Sequence, residues 1–152
     1  MPGPSTVDHV VAPPAPPTLL TVLVYSDDAN VRAAIRGALG SRPAPDLPEV
    51  RVREAATEPA VIEAMDAIAK GGEAARIDLA ILDGEAVPAG GIGIARQLKD
   101  EIFQCPPLLV LTGRAQDGWL ATWARADAIV PHPIDPIRLA DVAAALLRPR
   151  VA

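Results

Sequence analysis

Four polar side chains stand where short apolar runs give out: Asp27 after LLTVLVYS, Asp83 closing DLAILD, Thr112 closing LLVLT, and His132 between two prolines in AIVPHP. Two carboxylates, a hydroxyl and an imidazole can handle a phosphoryl group if one site collects them. A carboxylate that attacks phosphorus must approach an anion, so a divalent cation is needed to neutralise both. Magnesium suits that task, because it accepts a few carboxylate oxygens and keeps several waters. A hydroxyl and a positive side chain then hold the phosphoryl oxygens, which is the electrostatic clamp of phosphoryl transfer. Asp27 and Asp83 fit the metal role and Thr112 the hydroxyl. The positive group is where the set is uneven: a histidine has a reference pKa of about 6.5, whereas lysine is charged throughout the neutral range.

The elements that must position these residues follow from periodicity. Short apolar runs at 19–25, 49–54, 78–82, 108–111 and 128–130 read as strands, and segments of helical period lie between them. One stripe joins Val31, Ala34, Ile35, Ala38 and Leu39, with Asp28 as the capping residue and Gly40 as the stop. Others run through Val61, Met65 and Ile68, through Ile94, Leu98 and Ile102, and through Ile137, Ala144 and Leu147. The last begins with Asp135 before Pro136, a cap followed by proline at the first helical position. Alternating strands and helices predict an α/β domain with a parallel sheet covered on both faces. The run EVRVRE, alternating valine with charge, predicts a half-covered edge strand. In such a sheet ligands sit beyond the carboxyl ends of the strands, which is where the four polar residues fall.

Composition narrows the function classes. The 152 residues, 50% of them hydrophobic, make one ordinary core. A formal net charge of −5 gives no basic field for nucleic acid, so a protein partner is expected instead. No apolar run approaches the roughly 18 residues of a membrane helix, and a cytoplasmic location without membrane insertion is expected. The single cysteine, Cys105, excludes an internal disulfide and reads as a packing or loop residue. Residues 1–18, rich in proline, read as a disordered tail, residues 19–148 as the domain and 149–152 as a short end.

On these residues the chain resembles the receiver domains of two-component response regulators, over about residues 19 to 147. The resemblance implies a flavodoxin-like (βα)5 fold with strand order 2-1-3-4-5. It further implies that Asp83 is the phosphoacceptor, Asp27 a direct magnesium ligand, Thr112 the hydroxyl that touches the phosphoryl group, and Gly91 a glycine of the following loop. HPIDPIRL stands where receivers carry a lysine, a cis proline and a capped helix, so a cis bond before Pro133 is expected. Departures accompany the matches. His132 replaces the lysine, Ser26 replaces the outer acid of the usual pair, and Glu85 adds a carboxylate where receivers offer the metal a backbone oxygen. Pro88 falls one residue late, Ile129 replaces the switch aromatic, and Arg125 replaces a common glycine.

Plainer roles stand beside several of these. Asp27 caps a helix or binds metal, Thr112 bonds a backbone group or a phosphoryl oxygen, and Glu85 is a solvated loop residue or a weak backbone ligand. His132 is a packed replacement between prolines, the preferred reading, or a working group. Trp119 and Trp123, one helical turn apart, are expected to divide between the sheet and a partner. The preferred function is an atypical stand-alone receiver, not an enzyme. It binds a protein through its fourth and fifth helices, and the resemblance allows a large assembly such as a respiratory NADH dehydrogenase complex. The alternative is a phosphorylatable regulator charged at Asp83 by a histidine kinase.

Overall fold

The computed structural model describes residues 19–114 and 118–151. The tail expected over residues 1–18 therefore lies outside the described residues. Five strands, β1 (Leu19–Tyr25), β2 (Glu49–Ala55), β3 (Leu79–Asp83), β4 (Leu108–Thr112) and β5 (Ala128–Pro131), form one parallel sheet in the order β2-β1-β3-β4-β5. Five helices connect and follow them: α1 (Ala29–Leu39), α2 (Glu58–Asp66), α3 (Gly91–Glu101), α4 (Gly118–Trp123) and α5 (Pro136–Leu147).

Every residue of β3 and β4 is buried, as expected of central parallel strands whose two faces both carry helices. Leu23, Tyr25, Leu82 and Val110 meet Val61, Met65, Ile94 and Leu98 of α2 and α3 on one face. Leu20, Val22, Val24, Ile81 and Leu111 meet Ile35, Leu39, Leu139 and Leu147 of α1 and α5 on the other. Strand β2 keeps its exposed charges, with Glu49, Arg51 and Glu54 in solvent, as its alternation predicts for an edge.

Local chemistry sets the helix ends. Asp28 caps α1 by accepting the amide of Asn30, and Gly40 ends it at φ 59°, a left-handed conformation that suits glycine. Asp135 caps α5 from the amides of Ile137 and Arg138, with Pro136 in the first turn.

Three sequence expectations need correction. Ile137 is 75% exposed; the buried face of α5 is instead Leu139, Ala143, Ala144 and Leu147, and the helical period sets Ile137 at the margin of that face. Ala34 is exposed, so the stripe of α1 is narrower than its apolar residues suggest. Helix α2 stops at Asp66, and Ile68 sits in a 3-10 turn (Ala67–Ala69) followed by a second one (Gly72–Ala75) around a glycine pair.

Candidate functional site

Strand order reverses between β1 and β3, so their carboxyl ends frame the crevice where a ligand would enter. Tyr25 pairs with Leu82, which sets Ser26 level with Asp83 on the next strand. Asp83 aligns with Leu111, Thr112 with Pro131, and the His132 amide donates to the Thr112 carbonyl at 2.7 Å. The sheet register alone thus brings Ser26, Asp83, Thr112 and His132 to one edge.

Asp83 is 3% exposed, and a buried carboxylate needs partners. It has them on both oxygens. Its Oδ2 accepts from the Ser26 hydroxyl at 2.8 Å, and its Oδ1 accepts from the Glu85 amide at 2.9 Å. His132 Nε2 lies 3.0 Å from the same Oδ1, so the imidazole points into the site and is not merely packed between its prolines. With Asp83 ionised, this contact requires a proton on Nε2, and it strengthens when the ring is an imidazolium.

Ser26 is itself held in place. Its Oγ accepts the Asp28 amide at 3.1 Å, which leaves its proton for Asp83, and its carbonyl accepts from Arg32 Nη1 at 2.7 Å. Arg32 also pairs with Glu54 at 2.9 Å, and Arg36 with the other oxygen of Glu54 at 2.6 Å. The serine that replaces an acid is therefore a built hydrogen-bond donor. Sequence reasoning placed Ser26 at the site but missed its bond to Asp83, since nothing in SDD signals a contact 57 residues away.

The remaining candidates differ in how they are engaged. Thr112 Oγ1 is buried and has no hydrogen-bond partner among the described residues, against the reading that it serves a backbone group. Asp28, not Asp27, is the helix cap. Asp27 is exposed and accepts the Val87 amide at 3.1 Å, which ties the β1–α1 loop to the β3–α3 loop. Glu85 is exposed, but its carboxylate lies across Gly113: a Cβ there would stand 1.5 Å from Glu85 Oε1. Gly91 permits α3 to start against β3, since a Cβ would meet the Leu82 carbonyl carbon at 2.8 Å. The His132–Pro133 bond is cis, as expected, and so is Val87–Pro88. Arg125, in place of a common glycine, adopts φ 61° and pairs with Asp100. Tyr25 donates to the Ala89 carbonyl at 2.5 Å, and burial, then the charges of Asp27, Glu58 and Asp83, push its phenol above the ordinary tyrosine value.

The magnesium that the resemblance implies would fall to Asp83, Asp27 and the Glu85 carbonyl, a donor set of the kind magnesium takes, and here the two carboxylates are engaged within the protein. Both oxygens of Asp83 are committed to donors, Ser26 offers a hydroxyl turned toward Asp83 where a second acid would stand, and Asp27 is drawn to Val87. Among the described residues no group of three or more His, Cys, Asp or Glu side chains is arranged to hold a metal.

Two relatives from Mycobacterium tuberculosis strains, each described as an uncharacterized response regulatory protein, are 57% identical to the chain over 131 residues, covering 86% of it and 93% of each relative. The chain belongs to the response regulator family. No family model matches the sequence. Solved receivers share the fold of this response regulator at low identity. A CheY-like receiver domain protein of Methanospirillum hungatei aligns with a TM-score of 0.63 at 19% identity, over 87% of this chain and 96% of that one. A chemotaxis response regulator of Vibrio cholerae aligns with a TM-score of 0.62 at 20% identity, over 85% and 99%. The receiver fold with strand order 2-1-3-4-5 is thereby established, as the sequence suggested.

Away from Asp83, this response regulator exposes aromatic surface on α4. Trp119 is 68% and Trp123 51% exposed, so neither packs on the sheet as one was expected to. The Arg96 guanidinium lies 4.4 Å from the Trp123 ring centroid and donates to its carbonyl at 3.0 Å. No helix among the described residues is long and apolar enough to cross a membrane.

Proposed function

We propose that this response regulator is an atypical receiver that works chiefly by binding a protein partner and accepts phosphate at Asp83 slowly or not at all. The observation that carries this reading is the bonding of Asp83: a serine hydroxyl, a backbone amide and an imidazole surround it, with no permanent cation among its hydrogen-bond partners. For Asp83 to take a phosphoryl group, one Oδ must attack phosphorus while the donor leaves with the bonding pair. That oxygen attacks with a lone pair its hydrogen bonds leave open, and the charge on the phosphoryl oxygens must then be held. A neutral imidazole supplies less of that charge than an ammonium group. In this reading the protein is not an enzyme and acts in the cytoplasm. Its partner docks on α4 and α5 through Trp119 and Trp123, where exposed aromatic anchors favour protein contact. A large assembly, a respiratory NADH dehydrogenase complex among them, is one class of partner for such a module.

A second reading, a phosphorylatable single-domain regulator served by a histidine kinase, is favoured by one observation. Thr112 Oγ1 is buried without a partner among the described residues, and a phosphoryl oxygen on Asp83 would give it one. Acyl-phosphate formation with a small phosphodonor in magnesium buffer, followed by intact mass at pH 6 and pH 8, separates the two. The binding-module reading expects slow labelling at pH 8, faster labelling at pH 6 as histidines gain charge, and none for Asp83→Asn. Rapid stoichiometric labelling at pH 8 that depends on Asp83 replaces it with the second reading.

A further inference from the structure

At the end of the sheet opposite Asp83, the C-terminal ends of α2 and α3 and the Arg148–Arg150 turn enclose a cleft of about 910 Å³. Met65, Ile68, Ile102 and Cys105 line it, and Phe103 stands at its rim. Phe103 is the only phenylalanine of the chain and is 86% exposed. Leaving such a side chain in water forgoes the gain of burying it. The turn that presents it runs through Gln104 at φ 51°, a left-handed conformation uncommon outside glycine. An aromatic knob held out beside an apolar cleft has the form of a docking site.

The charges at the rim say what would dock. Asp66 and Glu101 border the cleft, and among the described residues the partner of Glu101 is the neutral Gln97 amide at 3.3 Å. Arg150, the one cation of the lining, is already engaged: it donates to Asp78 at 3.3 Å and to the Ile77 carbonyl at 3.1 Å. The free charge around an apolar floor is therefore negative.

We propose that this cleft docks a basic amphipathic helix of a protein partner, its apolar face against Phe103 and Ile68 and its lysines or arginines against Asp66 and Glu101. Charge selects this occupant. A second copy placed across a two-fold axis would set Asp66 and Glu101 against the same acids, and like charges facing one another at an interface are costly. Residues 1–18 contain no lysine or arginine to meet the rim. An anionic lipid surface would be repelled. The surface is separate from α4, and the inference does not depend on whether Asp83 is phosphorylated.

Cys105, the only cysteine, lines the cleft and serves as a reporter. The full chain is labelled with a maleimide, and the rate is read by intact mass with a leucine/lysine peptide patterned as an amphipathic helix. At a peptide concentration about ten times its Kd, labelling slows about tenfold. The leucine/glutamate version gives no protection. Phe103→Ser, an exposed position that should leave folding intact, abolishes protection. The double variant Asp66→Lys, Glu101→Lys transfers it to the acidic peptide. Asp83→Asn leaves it unchanged, so the result bears on the cleft and not on phosphorylation. Several outcomes overturn the proposal: no protection, equal protection by both peptides, or protection that survives Phe103→Ser. So do equal protection by a peptide of residues 1–18 and self-protection that rises with protein concentration.

Discussion

Two buried aspartates bracket β3, and they are held in different ways. Asp78, just before the strand, is fully buried; its Oδ1 takes Arg76 Nε at 2.6 Å and Arg150 Nε at 3.3 Å, and its Oδ2 takes the Thr21 amide at 2.8 Å. Asp83, closing the strand, is nearly as buried but has a hydroxyl, an amide and an imidazole. Arginine stays charged at any pH a protein survives, so Asp78 is neutralised permanently and ties the Arg148–Arg150 turn to β1 and β3. The partner of Asp83 that can carry charge does so only when protonated. Of the two ends, one is built to stay closed, and the other keeps a carboxylate whose compensation can change.

That contrast is broken most directly by substitution at the closed end. Asp78→Ala takes the buried carboxylate from Arg76 and Arg150, which keep only their weaker contacts to Glu73 and to backbone carbonyls, and leaves the buried Thr21 amide without its acceptor, so it should cost about 3 kcal/mol of stability. Asp83→Asn keeps the shape, removes the charge and turns one acceptor oxygen into an amide donor, at a site with no permanent cation among the described residues, so it should change stability by about 1 kcal/mol. Urea unfolding of both variants checks the pair. Equal losses would mean that the two ends are stabilised alike and that Asp83 is a second staple.

At the open end, the missing permanent charge can be restored. His132→Lys should raise the rate of acyl-phosphate formation at Asp83 by about tenfold at pH 8, because an ammonium group carries the charge permanently and an imidazole only when protonated. The same variant should flatten the dependence on pH between 6 and 8. If the lysine variant labels no faster than the parent, the imidazole is not what limits the site, and the hydrogen bond from Ser26 becomes the element to test.

The difference between the ends also explains what could be read from the sequence. Strands, helix caps and the strand-end positions of Asp83, Thr112 and His132 rest on local signals: apolar runs, Asp28 and Asp135 before helices, polar residues where runs stop. These imply the α/β architecture and put Asp83, Thr112 and His132 at the same end of the sheet. The bonds that decide the chemistry are not local. Ser26 reaches Asp83 across 57 positions and Arg150 reaches Asp78 across 72, and neither pairing leaves a pattern along the chain. Exposure of aromatics was equally hidden: Trp119 and Trp123 have the spacing of a buried stripe, but α4 has six residues and covers little of the sheet. The direction of His132 is hidden for a related reason, because flanking prolines say that a residue is held without saying where it points.

The smallest expected effect uses the one tyrosine as a gauge of charge at the open end. Tyr25 is 1% exposed, and its phenol is held above the ordinary value first by burial and then by the negative charges of Asp27, Glu58 and Asp83. A proton bound more tightly in the folded state stabilises the fold below the unfolded-state pKa of tyrosine, and that contribution is lost as pH rises through the folded value. Absorbance near 295 nm follows the ionisation directly, and a single tyrosine makes the assignment unambiguous. The midpoint of the folded chain should lie above that of the chain in denaturant. Asp27→Asn should lower it, and Asp83→Asn should lower it less, while the larger part of the elevation, which burial causes, survives both. Asp78→Asn, at the far end of β3, should leave the midpoint where it is. A midpoint unmoved by Asp27→Asn would mean that burial alone holds the phenol proton. Tyr25 would then report nothing about charge at the site, and the electrostatic distinction between the two ends would have to rest on the His132 and Asp78 variants.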